Sequence, residues 1–164
     1  MEKQTRIRLL RLATIALPVV ALDQATKFIV ARYMTLHSSI PVIPGFFNIT
    51  YLYNTGGAFG LFAESAPWVR MALFLGLSLA AAGLVVYLYF QTPPEERLFS
   101  AALCLILGGA VGNLIDRFRT GMVLDFLDLY ASGRHWPAFN VADMAVSGGV
   151  AILAVLFVLK KDPF

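Results

Sequence analysis

Residues 71–90 read MALFLGLSLAAAGLVVYLYF, without a single charged side chain. As a helix this run rises 1.5 Å per residue and covers roughly 30 Å, the thickness of the hydrocarbon core of a bilayer. Leu98 to Ile115 is likewise uncharged. Met144 to Leu159 is apolar and becomes long enough if it starts near Asn140. Leu12 to Leu22 is apolar but short; it spans only if it continues through Asp23, Gln24, Thr26 and Lys27 to about Ala31. The expectation is an integral membrane, mainly α protein with four transmembrane helices, forming one membrane-embedded domain over residues 1–164. The long connections Arg32 to Pro67 and Asp116 to Phe139 then fall on one side. Gln91 to Glu96 falls on the other, with both termini.

Composition agrees. Of 164 residues, 59% are apolar and 14% charged, and mean hydropathy is +0.73. Soluble domains run nearer half apolar and a quarter charged, so a water-facing monomer is excluded, and so is disorder. The net charge of +3 is spread without a basic stripe, which argues against a nucleic-acid partner. One cysteine, Cys104, rules out an intrachain disulfide. No Cys/His spacing suggests zinc, and neither a metal nor another cofactor is expected.

Basic residues near span ends set orientation. Lys3, Arg6, Arg8, Arg11, Arg97, Lys160 and Lys161 face one side; Lys27, Arg32, Arg70, Arg117, Arg119 and Arg134 face the other. The totals are nearly balanced, and the dense N-terminal cluster decides: both termini inside, both long loops outside. A cleaved leader is the rival reading of the N-terminus. Pro18 in mid-run and the lack of a small-residue cleavage pattern before Asp23 count against it.

The outer segments carry structure of their own. Phe47 to Tyr53 is aromatic and β-branched, follows a Pro44-Gly45 turn signal and reads as a strand of a small extracytoplasmic sheet. The turn Asn54-Thr55-Gly56-Gly57 ends it; the glycine-rich stretch on to Gly60 lacks the Lys-Ser/Thr of a phosphate loop. Gly121 to Tyr130 reads as a short strand or an interfacial helix, and the pattern does not choose.

Charged groups within membrane segments are costly and mark function. At 1.5 Å per residue, Asn113 lies roughly 24 Å beyond Arg97, Asp143 roughly 25 Å before Lys160, and Asp23 roughly 18 Å beyond Arg11. All three fall in the outer leaflet, with Asp116, Arg117 and Asn140 a little higher. The inner leaflet has nothing comparable. Each residue also has a plain structural reading. Asn140 serves as a helix N-cap with Asp143 in the first turn. Asp23 and Lys27 pair at i,i+4. Asp116 pairs with its neighbour Arg117. Asp125 and Asp128 are solvated loop carboxylates, His37 and His135 are surface residues, and the glycines of Gly108 to Gly112 allow close helix packing.

Nucleophilic chemistry is poorly supplied. Cys104 lies deep with no His near it in sequence, and Ser38 and Ser39 sit in a loop without a motif. Carboxylates remain. Two Asp side chains held together cannot both ionise, so one keeps a proton while the other acts as base. Such a pair activates water against an amide with neither metal nor covalent intermediate, and it titrates as a unit.

Five ordered motifs carry a resemblance. They are Asp23-Gln24-Ala25-Thr26-Lys27, Tyr53-Asn54-Thr55-Gly56, Gly108 through Arg117, Val123-Leu124-Asp125-Phe126 and Phe139-Asn140-Val141-Ala142-Asp143. Together, across nearly the whole chain, they resemble lipoprotein signal peptidase, also called signal peptidase II. Gly57 and Leu124 stand where that family more often has Ala and Val or Ile. The resemblance implies an aspartic protease of bacterial inner membranes that removes signal peptides from prolipoproteins whose Cys carries diacylglycerol, beside membrane lipid. It implies Asp125 and Asp143 as catalytic dyad, with Asn54, Gly56, Asn113, Arg117 and Asn140 positioning substrate and site. Asp23, Lys27 and Asp116 are supporting residues on this reading. The apolar segments Phe46 to Tyr53 and Val123 to Tyr130 then clamp the substrate. The rival functions are a proton-coupled transporter, which calls for carboxylates staggered across the bilayer, and a non-catalytic assembly protein whose polar layer only joins helices.

Overall fold

The computed structural model describes residues 2–55 and 66–159. Gly56, the rest of the glycine-rich stretch to Gly60, and the C-terminal Lys160 and Lys161 lie outside them. The element order is α1 (Glu2–Tyr33), β1 (Ser39–Ile43), β2 (Phe47–Asn54), α2 (Pro67–Gln91), α3 (Arg97–Thr120), β3 (Val123–Ala131), β4 (Arg134–His135) and α4 (Val141–Leu159).

Three of the helices are long and apolar enough to cross a membrane: α2 from Trp68, α3 and α4. α1 is one continuous helix of 32 residues that passes Pro18 and carries Asp23 and Lys27 within it. The continuation through Asp23 to Lys27 is thus helical, and its charges set α1 apart from the other three. α3 is central, packing against α1, α2 and α4. Gly108, Gly109 and Gly112 explain how closely. A Cβ on Gly108 would stand 2.9 Å from Val19 Cβ; one on Gly109 would collide with the Ala142 carbonyl; one on Gly112 would meet Asp23 Oδ2 at 2.6 Å. The packing role read from these glycines holds, and it brings three helix backbones together at the depth of the polar layer.

At the opposite end the N-terminal arginines have a structural task. Arg8 donates to the Phe90 and Thr92 carbonyls, and Arg11 to that of Pro94. Cations there satisfy the last carbonyls of α2 and suit its negative end. Tyr89, Leu103 and Cys104 form the buried cluster beside them, where the Tyr89 hydroxyl donates to the Arg8 carbonyl at 2.6 Å.

The outer segments form a four-stranded antiparallel sheet in the order β1-β2-β3-β4. Gly121 to Tyr130 resolves as a strand. Gly121 ends α3 in the left-handed conformation, φ 76°, its N–H closing on the Arg117 carbonyl, and the chain turns directly into β3. Tyr51, Leu124 and Phe126 then pack with Val30 of α1, with Val141 at their margin. That apolar contact fastens the sheet to the helix ends.

Candidate active site

The polar layer inferred from residue spacing is assembled. Lys27 Nζ lies 2.9 Å from Asp23 Oδ2 and 2.7 Å from Asp116 Oδ2, and donates to Asn113 Oδ1 at 3.0 Å. The other oxygen of Asp23 accepts the Ala142 backbone N–H at 3.0 Å, tying α1 to the first turn of α4. Asp23 and Asn140 are fully buried, and Lys27 nearly so. Buried charges persist only when paired and hydrogen-bonded, and this ammonium answers two carboxylates at once.

One expectation fails. Asp116 does not pair with Arg117. Its oxygens are taken by Lys27, by Gln24 Nε2 at 3.0 Å and by the Leu124 N–H at 3.2 Å. Consecutive helical residues point about 100° apart, so Arg117 is turned elsewhere. Among the described residues it has no ion pair, and it lies half-buried within the field of Asp143, Asp116 and Asp125.

The two remaining carboxylates meet over a pair of amides. Asn113 Nδ2 donates to Asp143 Oδ1 at 2.8 Å. Asn140 Nδ2 donates to Asp125 Oδ1 at 2.7 Å and lies 3.2 Å from Asn113 Oδ1. Asn54 Nδ2 reaches the other oxygen of Asp125 at 3.1 Å. Lys27 fixes the sense of the Asn113 amide: with Oδ1 facing an ammonium, Nδ2 must face Asp143. Asn140 is also the N-cap of α4. Its Oδ1 accepts the Asp143 N–H at 3.0 Å, while Asp143 Oδ2 accepts the Asn140 N–H at 3.2 Å, a reciprocal capping box. The cap reading of Asn140 holds, and the same side chain also bonds Asp125 and Asn113.

Asp125 is not a solvated loop carboxylate. It is 3% exposed in β3. Burial pushes its carboxyl up to about 6, and the nearby Asp143 charge adds to the rise; the donors Asn54 and Asn140 and the charge of Lys27 pull the other way. Asp128 departs from expectation too. It is buried on the other face of β3, bonded to Asn48 Nδ2 and to His135 Nδ1, each at 2.8 Å. His135 is therefore a paired residue, though its side chain is half exposed.

Spacing alone does not single out Gln24. Its amide donates toward Asp23, Asp116 and the Gly112 carbonyl and accepts from Arg119. A glutamine beside Asp23 and one turn from Lys27, directly after the apolar run Leu12 to Leu22, is the available signal. A lateral cleft of about 180 Å³ opens there between α1, the end of α3 and Tyr53. Among the described residues no group of three or more His, Cys, Asp or Glu could hold a metal ion.

Known proteins resemble this chain over nearly its full length. Residues 15–159 match the family described as Signal peptidase (SPase) II. The chain is similar to the lipoprotein signal peptidase of Desulforapulum autotrophicum, at 51% identity over 94% of this chain and 96% of that protein. It is similar also to the one of Geobacter sulfurreducens, at 49% identity over 86% and 87%. A solved structure described as a bacterial membrane enzyme, obtained by the in meso method at 2.3 Å resolution, superposes with a TM-score of 0.80. Its identity to this chain is 33%, with 93% of each chain covered.

Proposed function

The chain belongs to the signal peptidase II family, and on that footing we propose that it is an aspartic endopeptidase cutting prolipoproteins just before a diacylglyceryl-modified Cys. Membership makes it a peptidase; the aspartic type is our reading of the site. The observation that carries it is the joining of Asp125 and Asp143 through Asn140 and Asn113.

Asp125 and Asp143 hold a water between them. The ionised carboxylate removes a proton as the water oxygen attacks the scissile carbonyl. The protonated carboxyl supplies its proton to the departing amine as the C–N bond breaks. The raised carboxyl of Asp125 supports a proton shared by the pair up to about pH 6, well above the ordinary carboxylate range. Arg117 and Asn54 contact the substrate backbone beside the dyad. Asp23, Lys27 and Asp116 hold α1, α3 and α4 in register.

The wider arrangement follows. All four helices span the bacterial inner membrane, α1 included. Its buried face is the polar one, and Leu17, Leu22, Phe28 and Ile29 are exposed and apolar, as lipid contact requires. Both termini are cytoplasmic, and the sheet and dyad stand at the outer face. β2 and β3 clamp the substrate and exclude bulk water.

The test is cleavage of a diacylglyceryl-modified prolipoprotein by purified protein with chelator present. Asp125→Asn and Asp143→Asn must each abolish cleavage while the protein still inserts. Inhibition by chelator, or activity in either variant, would overturn the reading.

A further inference from the structure

We propose that Asp128 and His135 are positioning residues for this reaction, seating the segment 134–140 along β3 so that its last residue, Asn140, stays between the reacting carboxyls. The inference rests on the dyad reading above. Ser132 and Gly133, with φ 50° and 74°, form the two-residue turn that folds this segment back. It then follows the edge of β3. Tyr130 pairs with His135, Trp136 N–H donates to the Leu129 carbonyl at 2.8 Å, and Phe139 exchanges backbone bonds with Leu127 at 2.8 and 3.0 Å. The next residue is Asn140.

Side chains fasten this segment at its far end. His135 stacks on Tyr130, ring centroids 4.8 Å apart and planes within 8°, and its Nδ1 lies 2.8 Å from Asp128 Oδ1. Asn48 of β2 takes the other oxygen of Asp128. The Tyr130 hydroxyl accepts the Gly45 N–H at 2.8 Å, so the cluster also holds the β1–β2 turn. Burial alone would raise the Asp128 carboxyl, yet His135 and Asn48 hold it below its ordinary value. The anchor is thus an ionised carboxylate, the strongest kind of acceptor. It lies three residues from Asp125 along β3 and therefore on the opposite face. It acts on the site only through the backbone and Asn140.

Displacement of a positioned group by about 1 Å costs up to roughly a hundredfold in rate. Its electrostatic signature is separate. Asn140 donation is one of the influences holding Asp125 down. Around Asp125 stand Asp143 of α4, Lys27 of α1, Arg117 of α3 and Asn54 of β2, with Asp116 of α3 bonded to the neighbouring Leu124 N–H. Around His135 stand Asp128, Tyr130 and its neighbour Arg134. If Asn140 withdraws, the Asp125 carboxyl rises.

The experiment measures kcat, KM and the pH profile for cleavage of a diacylglyceryl-modified prolipopeptide in micelles, with thermal unfolding of each variant. His135→Ala and Asp128→Ala should lower kcat by about tenfold or more with KM unchanged, and shift the alkaline limb upward. His135→Asn, whose Nδ2 mimics the Nδ1 donor, should recover activity to within about threefold of wild type. The double variant should cost no more than either single one. Wild-type kcat and pH limb in His135→Ala and Asp128→Ala overturn the proposal, as does equal impairment of His135→Asn and His135→Ala. A lowered unfolding temperature with normal turnover per folded enzyme also overturns it, because the pair is then only structural. Asp125→Asn and Asp143→Asn belong in the same assay. If they cleave, the dyad reading itself fails; if they do not and His135→Ala behaves as wild type, only this inference fails.

Discussion

Asn54 and Asp125 share a face of the sheet because β2 carries one residue more than β3 between them and the far end of the ladder. Ile49 pairs with Leu127, but Leu52 pairs with Asp125, so Thr50 and Tyr51 together oppose Phe126. A bulge of this kind shifts register by one, and one step exchanges the faces of every following side chain. In the unshifted register Tyr51 would oppose Asp125 and Asn54 would point away. With the bulge, Asn54 is the diagonal neighbour of Asp125 on one face, and its amide reaches Oδ2 at 3.1 Å.

That bond favours the ionised carboxylate. Asn54→Ala should therefore raise the Asp125 carboxyl above its value of about 6, by roughly one unit for a lost bond to a charged group. The alkaline limb of the cleavage profile should move up accordingly, and kcat should fall. A drop in kcat with an unmoved limb would show that Asn54 acts on substrate alone.

Asp125→Asn should be inactive yet more stable than wild type above neutral pH. The sign follows from linkage. The folded-state value of about 6 exceeds the ordinary 3.8, so between these values the native protein binds more protons than the unfolded chain, and stability falls as pH rises. Below about pH 4 the variant should have no such advantage; above about pH 6 the wild type carries a penalty on the order of 3 kcal/mol that the amide avoids. Part of the gain is returned, since one of the donors Asn54 and Asn140 must then face an NH₂. Thermal unfolding in micelles at pH 4 and pH 8 checks the difference. An advantage that is larger at pH 4 would contradict it.

Much of this architecture is legible in the sequence because lipid imposes simple constraints. The uncharged runs of α2 and α3, and the apolar run of α4, mark helices whatever they pack against, and 1.5 Å per residue brings Asp23, Asn113 and Asp143 to one layer without knowledge of any contact. The glycines at 108, 109 and 112 are readable as close contacts for the same reason. Other features are not legible, because they depend on partners distant in sequence. Asp128 reads as a solvated loop residue; its burial comes from Asn48, 80 positions away, and from a turn that returns His135 to it. Adjacency suggests Arg117 as the partner of Asp116, whereas the helix turns Asp116 toward Lys27 across the α1–α3 contact. The bulge that selects the face of Asn54 has no signature in the strand's alternation.

The glycines of α3 should separate cleanly from those of α2. Gly109→Ala must push against the Ala142 backbone, which has no freedom to yield; overpacking of this kind costs about 1–3 kcal/mol. Gly112→Ala displaces the Asp23 carboxylate, which serves both Lys27 and the Ala142 N–H, so activity should fall with stability. At Gly76 and Gly83 of α2 an added methyl would have nothing within 4 Å, and their Ala variants should be neutral. Unfolding temperatures of the four variants test the ranking; a neutral Gly109→Ala would mean that α3 and α4 are not in such close contact.

Lys27 is the cation on which the layer turns. Lys27→Met leaves the buried Asp23 and the partly buried Asp116 without their counter-charge, and breaking a buried pair from one side costs about 3–5 kcal/mol. It also frees the Asn113 amide, because Oδ1 then faces only Asn140 and Nδ2 is no longer forced toward Asp143. Stability and turnover should fall together. Adding Asp116→Asn to Lys27→Met removes one stranded carboxylate and should restore part of the stability. It should not restore turnover, since nothing re-orients Asn113. Recovery of both in the double variant would mean that charge balance alone is the task of Lys27; recovery of neither would mean that Asp116 is held by Gln24 and Leu124 without need of the ammonium.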